Sequence, residues 1–216
     1  MSQYVVVDLE MCTIKKENRT PSYPHAYETI QIGAVLVDEQ YEIVDTFNTY
    51  VYPEYGFLSN YIKELTGIKS KDLVGAPNML EALERFMDWV PKDAYMVSWS
   101  NTDMLQIKNE AKAKSISDER LKPFYESWID CQKLFSDKIQ EKRAYRLSDA
   151  LIMADILQEG KEHDGLSDAY NTAKLFAKIM REPEFKLNKY IVSARFEQVE
   201  PLKYTLAYMF KKLQLS

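Results

Sequence analysis

Val5-Val6-Val7-Asp8-Leu9-Glu10 joins a short apolar run to two carboxylates. Three β-branched residues in succession predict a central strand that is buried on both faces. Because side chains alternate along a strand, Asp8 and Glu10 lie on the same face, one pleat apart. Two like charges at a desolvated strand end repel each other unless a cation or a proton lies between them. The alternative is a strand end that reaches solvent with two ordinary surface acids.

The composition is that of a globular protein of one sizeable domain, with or without an appendage: 216 residues with a formal net charge of −5. This charge disfavours binding of duplex nucleic acid by bulk electrostatics, but it does not exclude an enzyme whose acids bind metal. The sequence shows no signal peptide and no apolar run that could span a bilayer. We therefore expect a cytoplasmic location and no membrane partner. Cys12 and Cys131 lack metal-type spacing, so we expect two free thiols in a reduced compartment.

The first half of the chain is expected to continue the sheet and then turn helical. Thr29–Val37 and Glu42–Tyr52 are rich in Val, Ile, Thr and Tyr around a polar turn, which predicts a β-hairpin. Gly33 in this hairpin is expected where another backbone comes close. Helical spacing of apolar residues then predicts helices over Leu58–Leu65 and Asn78–Val90.

The second half alternates strand and helix. We expect a strand at Ala94–Trp99, a helix at Asp103–Lys114, a short strand or helix start at Ile129–Cys131, and helices at Arg146–Leu157 and Leu166–Met180. The side chains expected to face the core include those of Leu80 and Met180, and of either Ile156 or Leu157. The order of these elements predicts an α/β fold with one domain over residues 1–182.

Residues 183–216 are expected to form a C-terminal tail. An amphipathic helix is predicted from Pro201 to Leu213, and its aromatic residues Tyr204, Tyr208 and Phe210 suit packing on the domain or on a second copy of the chain. A homodimer through this tail is one of these two alternatives.

Chemistry-bearing residues recur at the ends of the predicted elements. Asp8 and Glu10 end the first strand, Asp103 follows the fourth, and His163 and Asp168 lie at the start of a late helix. Asp103 taken alone also fits a first-turn acid favoured by the helix dipole. Four carboxylates and an imidazole are what hydrolysis of a phosphodiester with two metal ions requires, and carboxylate oxygens select Mg²⁺ or Mn²⁺. An imidazole with a pKa of about 6.5 can accept the proton of an attacking water near neutral pH.

Several motifs, in order, resemble those of the DEDDh (DnaQ-like) group of 3′–5′ exonucleases. They are Asp8-Leu9-Glu10-Met11-Cys12-Thr13, the second strand Glu28–Val35, the Leu58-Ser59 and Leu65-Thr66-Gly67-Ile68 elements, Asp103 four residues after Trp99, and His163-x₄-Asp168-Ala169. The resemblance covers about residues 3–180, and it is nearest to the branch with KapD and the histone-mRNA 3′ exonucleases.

This resemblance implies a ribonuclease-H-like fold with a five-stranded mixed sheet flanked by helices. It also implies a 3′–5′ exonuclease that acts on the 3′ end of single-stranded RNA or DNA. Asp8, Glu10 and Asp168 would hold one divalent cation, Asp8 and Asp103 would hold a second, and His163 would be the general base. By the same resemblance, substrate-binding residues would be Met11, Leu65 and Thr66.

Two other functions are compatible with the sequence. The first is a catalytically silent module that binds nucleic acid or protein on the same fold, which degenerate acids would favour. The second is a ribonuclease-H-like endonuclease. The choice between RNA and DNA depends on a few contacts to the 2′-hydroxyl, which the sequence does not place.

Overall fold

The first predicted strand is the centre of a five-stranded mixed sheet. The computed structural model describes residues 2–117 and 119–191. Its strands are β1 (Tyr4–Thr13), β2 (Tyr27–Val37), β3 (Ile43–Tyr50), β4 (Tyr95–Ser98) and β5 (Ile129–Asp130), in the order β3-β2-β1-β4-β5. Its helices are α1 (Asn60–Thr66), α2 (Ser70–Leu73), α3 (Met79–Trp89), α4 (Thr102–Ala113), α5 (Leu121–Glu126), α6 (Cys131–Lys138), α7 (Leu147–Met153) and α8 (Gly165–Arg181). The predicted fold class is confirmed.

Strand β1 has a different kind of neighbour on each side. It pairs antiparallel with β2, where Asp8 lies opposite Gly33 and Glu10 opposite Gln31. It pairs parallel with β4, and β4 in turn pairs parallel with β5. The register with β2 shifts directly after Glu10, which is a β-bulge. The pairing with β4 ends at Val6, so the two acids lie beyond the last paired residue on that side.

The alternation along β1 divides its side chains between two hydrophobic cores. Val5, Val7 and Leu9 pack with residues of α3, α4 and α5 on one face of the sheet. Val6 packs with residues of α6, α7 and α8 on the other face. Because the period of a strand is two, Asp8 and Glu10 share the face of Val6. The predicted strand buried on both faces is therefore observed.

Most predicted elements are present, with shifted ends. The hairpin is β2 and β3, and α1 has Ser59 as its N-cap, with the Ser59 side chain accepting a hydrogen bond from the Ile62 amide. The short strand at residues 129–130 exists and leads directly into α6. The predicted close approach at Gly33 is also confirmed, because a Cβ on this residue would lie 2.2 Å from the carbonyl carbon of Gly165.

Of the two alternatives after α7, Ile156 packs against the core and Leu157 is 83% exposed, as expected if one of them faces inward. Two other side chains expected in the core are exposed instead. Leu80 is 45% exposed because the buried stripe of α3 begins at Met79, one position earlier. Met180 is 41% exposed, while Ile179 beside it packs in the core. A stripe read from spacing alone has an uncertainty of one residue at a helix end.

The described beginning of the tail packs against the domain. Phe185, Leu187 and Ile191 contact the core formed with α6, α7 and α8, and the Phe185 ring lies edge-on to Phe135 with 5.9 Å between centroids. The predicted helix Pro201–Leu213 lies outside the described residues. Over residues 2–117 and 119–191, the structure has no helix with the length and apolarity that crossing a membrane requires.

Candidate active site

The carboxyl end of β1 opens into a cleft of about 980 Å³. Asp8 and Glu10 line this cleft, together with Asp103, His163 and Asp168. The fold therefore brings together the four acids and the imidazole that the sequence predicts. The alternative of two ordinary surface acids at this strand end does not apply, because Glu10 is 8% exposed and Asp8 is half-buried.

Asp103 reaches the cleft from the first turn of α4. Its side chain is 6% exposed, and its Oδ1 accepts a hydrogen bond of 3.1 Å from the backbone amide of Leu9. This bond joins the first turn of α4 to Leu9 of β1, the residue between Asp8 and Glu10. Asp103 therefore faces the site, which a simple helix-dipole acid on the surface would not do.

The loop between α7 and α8 places His163 in the same cleft. The backbone amide of His163 donates a 2.9 Å hydrogen bond to Asp168 Oδ2, and His163 has a φ of 62°. A positive φ is uncommon outside glycine, although histidine tolerates it better than most residues. Ligand atoms of Glu10, His163 and Asp168 lie within 4.8 Å of one another.

The acids raise one another's pKa values in this cleft. Burial raises the pKa of Glu10 to about 8, and repulsion from Asp168 and Asp164 adds to this effect. Burial likewise raises the pKa of Asp103 to about 7 and that of Asp168 to about 6, against hydrogen bonds from backbone amides that lower both values. The pKa of Asp8 is raised well above its ordinary value by burial, and next by Asp103 and Asp168.

This concentration of acids fits divalent cations. The Oδ1 atom of Asp168 is buried and has no hydrogen-bond partner among the described residues, although buried carboxylate oxygens are normally paired. A divalent cation would pair this oxygen and remove the repulsion between neighbouring carboxylates. Asp8, Glu10, Asp103 and Asp168 supply oxygen ligands only, which suits Mg²⁺ or Mn²⁺.

Of the three predicted substrate-binding residues, two line the cleft. Met11 lies just beyond the bulge of β1, and Leu65 lies on α1. The side chain of Thr66 instead turns into the protein: it is 4% exposed, donates a hydrogen bond to the Ile62 carbonyl and accepts one from the Ile68 amide. Thr66 therefore holds the end of α1, and this side chain does not line the cleft.

The sequence did not predict several other residues that line the cleft. Tyr61 has the spacing of a core residue in α1, yet it is 69% exposed and lines the cleft beside Leu65. Arg146 and Trp99 line the cleft on the side of α7 and β4. A tyrosine in an apolar stripe gives no local signal that separates a core position from a cleft wall. Arg146 follows several other charged residues, so its position in the sequence did not indicate that it lines the cleft.

A family model described as an exonuclease matches residues 5–176 of this chain. The chain belongs to this exonuclease family. Its exonuclease domain includes every strand of the sheet and all five residues that converge in the cleft.

Curated relatives and solved structures agree with this assignment. The exonuclease chain is 30% identical to ERI1 exoribonuclease 2 of Homo sapiens over 184 residues, covering 73% of this chain but only 26% of the relative. It is 31% identical over 183 residues to the DNA polymerase III subunit epsilon of Aquifex aeolicus, with 85% of this chain and 83% of the relative covered. Among solved structures, the nuclease domain of 3′hExo, a DEDDh family member bound to rAMP, shares the fold with a TM-score of 0.71 and 24% identity, over 87% of this chain and 96% of that one.

Proposed function

We propose that the protein is a metal-dependent 3′–5′ exonuclease that hydrolyses single-stranded RNA or DNA from the 3′ end to nucleoside 5′-monophosphates. The observation that carries this proposal is the convergence of Asp8, Glu10, Asp103, Asp168 and His163 on one cleft. All five positions carry a residue with the required chemistry, which argues against a catalytically silent binding module.

Each residue has a role in this proposal. Asp8, Glu10 and Asp168 would hold one divalent cation, and Asp8 and Asp103 a second. Two such cations, when bound, stabilise negative charge on the attacking and leaving oxygens of a phosphodiester. His163 accepts the proton of the attacking water, and its place on a loop beside Asp168 keeps the imidazole at the edge of the acidic cluster.

The walls of the cleft suit an unpaired strand. Tyr27 and Tyr61 line the cleft and are 52% and 69% exposed, so each offers a ring face on which a base can stack. Met11 and Leu65 add apolar contacts for the terminal nucleotide. The relatives include enzymes named as exoribonucleases and a DNA polymerase subunit, so both RNA and DNA are substrates to be tested.

The test is trimming of matched 5′-labelled RNA and DNA oligonucleotides with Mg²⁺ or Mn²⁺. We expect a ladder that shortens from the 3′ end, with nucleoside 5′-monophosphates as the product, and no activity in EDTA. A circular single strand of the same sequence distinguishes an endonuclease, because an enzyme that requires an end leaves it intact. The proposal fails if both linear substrates survive with either metal.

Two further proposals concern the whole protein. The chain covers about a quarter of the length of the human relative, so the activity and partners of that relative do not transfer as a whole. We propose a homodimer through residues 183–216 and a cytoplasmic location. Light scattering of the purified protein and fractionation of cells test these two proposals.

A further inference from the structure

Gln31 is a fully buried amide directly behind the acidic cluster. It lies on β2 opposite Glu10, and its side chain is 0% exposed. Cross-strand neighbours in register share a face of the sheet, so Gln31 lies on the side where Glu10 faces the cleft. Gln31 does not line the cleft itself, and nothing in the proposed chemistry uses it. A buried amide must nevertheless find hydrogen-bond partners.

The partners of Gln31 lie on the loop that carries His163. Its Oε1 accepts a 3.1 Å hydrogen bond from the backbone amide of Gly165, and its Nε2 donates to Asp164 Oδ2 at 3.3 Å. The same Nε2 donates to Asn48 Oδ1 on β3 at 3.0 Å. Gln31 therefore joins two adjacent strands to the two residues that immediately follow His163.

The N-terminus of α8 is held against the sheet at the same point. A Cβ on Gly33 would lie 2.2 Å from the carbonyl carbon of Gly165, and a Cβ on Gly165 would lie 3.1 Å from the carbonyl oxygen of Asp8. Asp164 caps α8, because its Oδ1 accepts hydrogen bonds from the amide and the hydroxyl of Ser167. The other carboxylate oxygen, Asp164 Oδ2, accepts the hydrogen bond from Gln31. The side chain of Asp164 therefore links the N-terminus of α8 to β2.

These contacts constrain the backbone of His163 from both sides. Its own amide is held by Asp168 Oδ2, and two residues later the amide of Gly165 is held by Gln31. Between these two anchors, His163 adopts a φ of 62°. A conformation of this kind costs free energy and persists only when its surroundings impose it. Removing one anchor lets the loop relax toward negative φ, which moves the imidazole.

We propose that Gln31 is a positioning residue that sets the place of the His163 imidazole relative to the acidic cluster, acting through Gly165 and Asp164. Its amide oxygen is the operative atom, since it holds the main chain of the loop. The kinetic consequence of this proposal rests on the proposed exonuclease activity, whereas its structural consequence does not.

The structural arm of the test uses the fact that the chain has two histidines. Side-chain NMR spectra of the full-length protein give one set of imidazole signals from His163 and one from His25, which serves as the internal reference. In Gln31→Met, we expect the His163 signals to shift or broaden while those of His25 stay unchanged. Unchanged His163 signals in a folded Gln31→Met variant overturn the proposal, whatever the enzyme does.

The kinetic arm compares Gln31→Met with the control Thr29→Val. We expect Gln31→Met to lower kcat about tenfold to a hundredfold with KM within threefold, since a displacement of about 1 Å can cost this much. Thr29 lies on β2, as Gln31 does, and its hydroxyl donates a buried 2.8 Å hydrogen bond to Glu110. Thr29→Val removes this bond, so it should lower Tm and leave kcat nearly unchanged.

A double-mutant cycle separates positioning of His163 from a general loss of stability. In a His163→Ala background, Gln31→Met should lower kcat no further, because the group that it positions is already gone. Independent effects that multiply would overturn the proposal, as would a folded Gln31→Met variant with the kcat of the parent. Loss of activity toward every substrate by the parent protein would refute the exonuclease function but leave the NMR arm to decide the role of Gln31.

Discussion

At the scale of single residues, the site is a set of acids kept close together against their mutual repulsion. Glu10, Asp103 and Asp168 are each 8% exposed or less, and each has a raised pKa in the metal-free protein. With a pKa of about 8, Glu10 holds its proton at neutral pH until a cation replaces it, whereas Asp168, with a pKa of about 6, is already mostly ionised there. The same residues that suit metal binding are therefore costly to the fold when no metal is bound.

The first prediction concerns pH and stability. Glu10 has a folded pKa of about 8 against an ordinary value of 4.5, so it binds more protons when folded. Its contribution to the free energy of unfolding is fully present below about 4.5 and is lost as the pH rises through about 8. Each retained proton gives a slope of about 1.4 kcal/mol per pH unit at most. Urea unfolding in EDTA should show lower stability near pH 8 than near pH 5.

Added Mg²⁺ should reverse this trend, because the ionised carboxylates bind the cation and the protonated ones do not. The gain in the free energy of unfolding should be larger near pH 8 than near pH 5. The matched variant Asp103→Asn, which loses one titrating group, should show a shallower pH dependence in EDTA. A metal-free protein that became more stable over this range would contradict the assignment.

The second prediction concerns His163 as general base. His163→Ala should lower kcat by about 10²–10⁴-fold, the usual contribution of a positioned acid or base. Mn²⁺ affinity measured by titration calorimetry should remain within a few-fold, because the carboxylates hold the cations. His25→Ala is the matched control and should trim oligonucleotides at the parent rate. Parent-like turnover of His163→Ala would remove this residue from the mechanism.

At the scale of elements, a second buried charge network fixes α4 against the sheet. Lys114, at the end of α4, makes ion pairs of 2.7 Å with Glu28 on β2 and 3.2 Å with Glu110 on its own helix. Both carboxylates are completely buried, and Glu28 also accepts hydrogen bonds from the amides of residues 54–56. The network therefore fixes the C-terminal half of α4 against β2, at the opposite end of the helix from Asp103.

The third prediction tests this network. Lys114→Met should lower the free energy of unfolding by about 3–5 kcal/mol, since it leaves two buried carboxylates without their cation. Lys112→Met, on the exposed side of the same helix, should change it by less than about 0.5 kcal/mol. Denaturant unfolding of the two variants at neutral pH makes the comparison. Equal stability of the two variants would show that the network is energetically neutral.

At the scale of the whole molecule, the boundary of the domain is set by packing. Residues 1–182 contain the sheet and the site, but Phe185, Leu187 and Ile191 pack on the core beyond that limit. Burial of one large apolar side chain stabilises a domain by about 1.5–3 kcal/mol. A domain that ended at residue 182 would therefore lack the contacts that Phe185, Leu187 and Ile191 make with the core.

The fourth prediction compares three lengths of chain: 1–182, 1–191 and 1–216. We expect 1–182 to unfold at a lower temperature than 1–191, because it lacks the contacts of Phe185 and its neighbours. If the tail forms the proposed dimer, light scattering should give a dimer for 1–216 and a monomer for 1–191. A monomeric full-length chain would refute the dimer without affecting the active site.

The sequence by itself determined the elements and the identity of the acids. Alternation in Val5–Glu10, helical spacing near Leu83 and Phe86, and the residue types at positions 103, 163 and 168 are local patterns, and local patterns follow from backbone geometry. Their likeness to family motifs added the expectation that they meet. The ends of helices were less certain, as Leu80 and Met180 show, because packing selects the residues that the last turn buries.

Only the tertiary structure decided which polar residues of the strands and helices are buried. Gln31, Glu28 and Glu110 look in sequence like ordinary residues of a strand or a polar helix face, yet all three are fully buried. Gln31 and Glu28 have partners 17 to 134 positions away, and Glu110 binds Thr29, which lies 81 positions away. No local pattern encodes these contacts. Burial of a polar group depends on what the remainder of the chain places around it, and that is a property of the folded molecule.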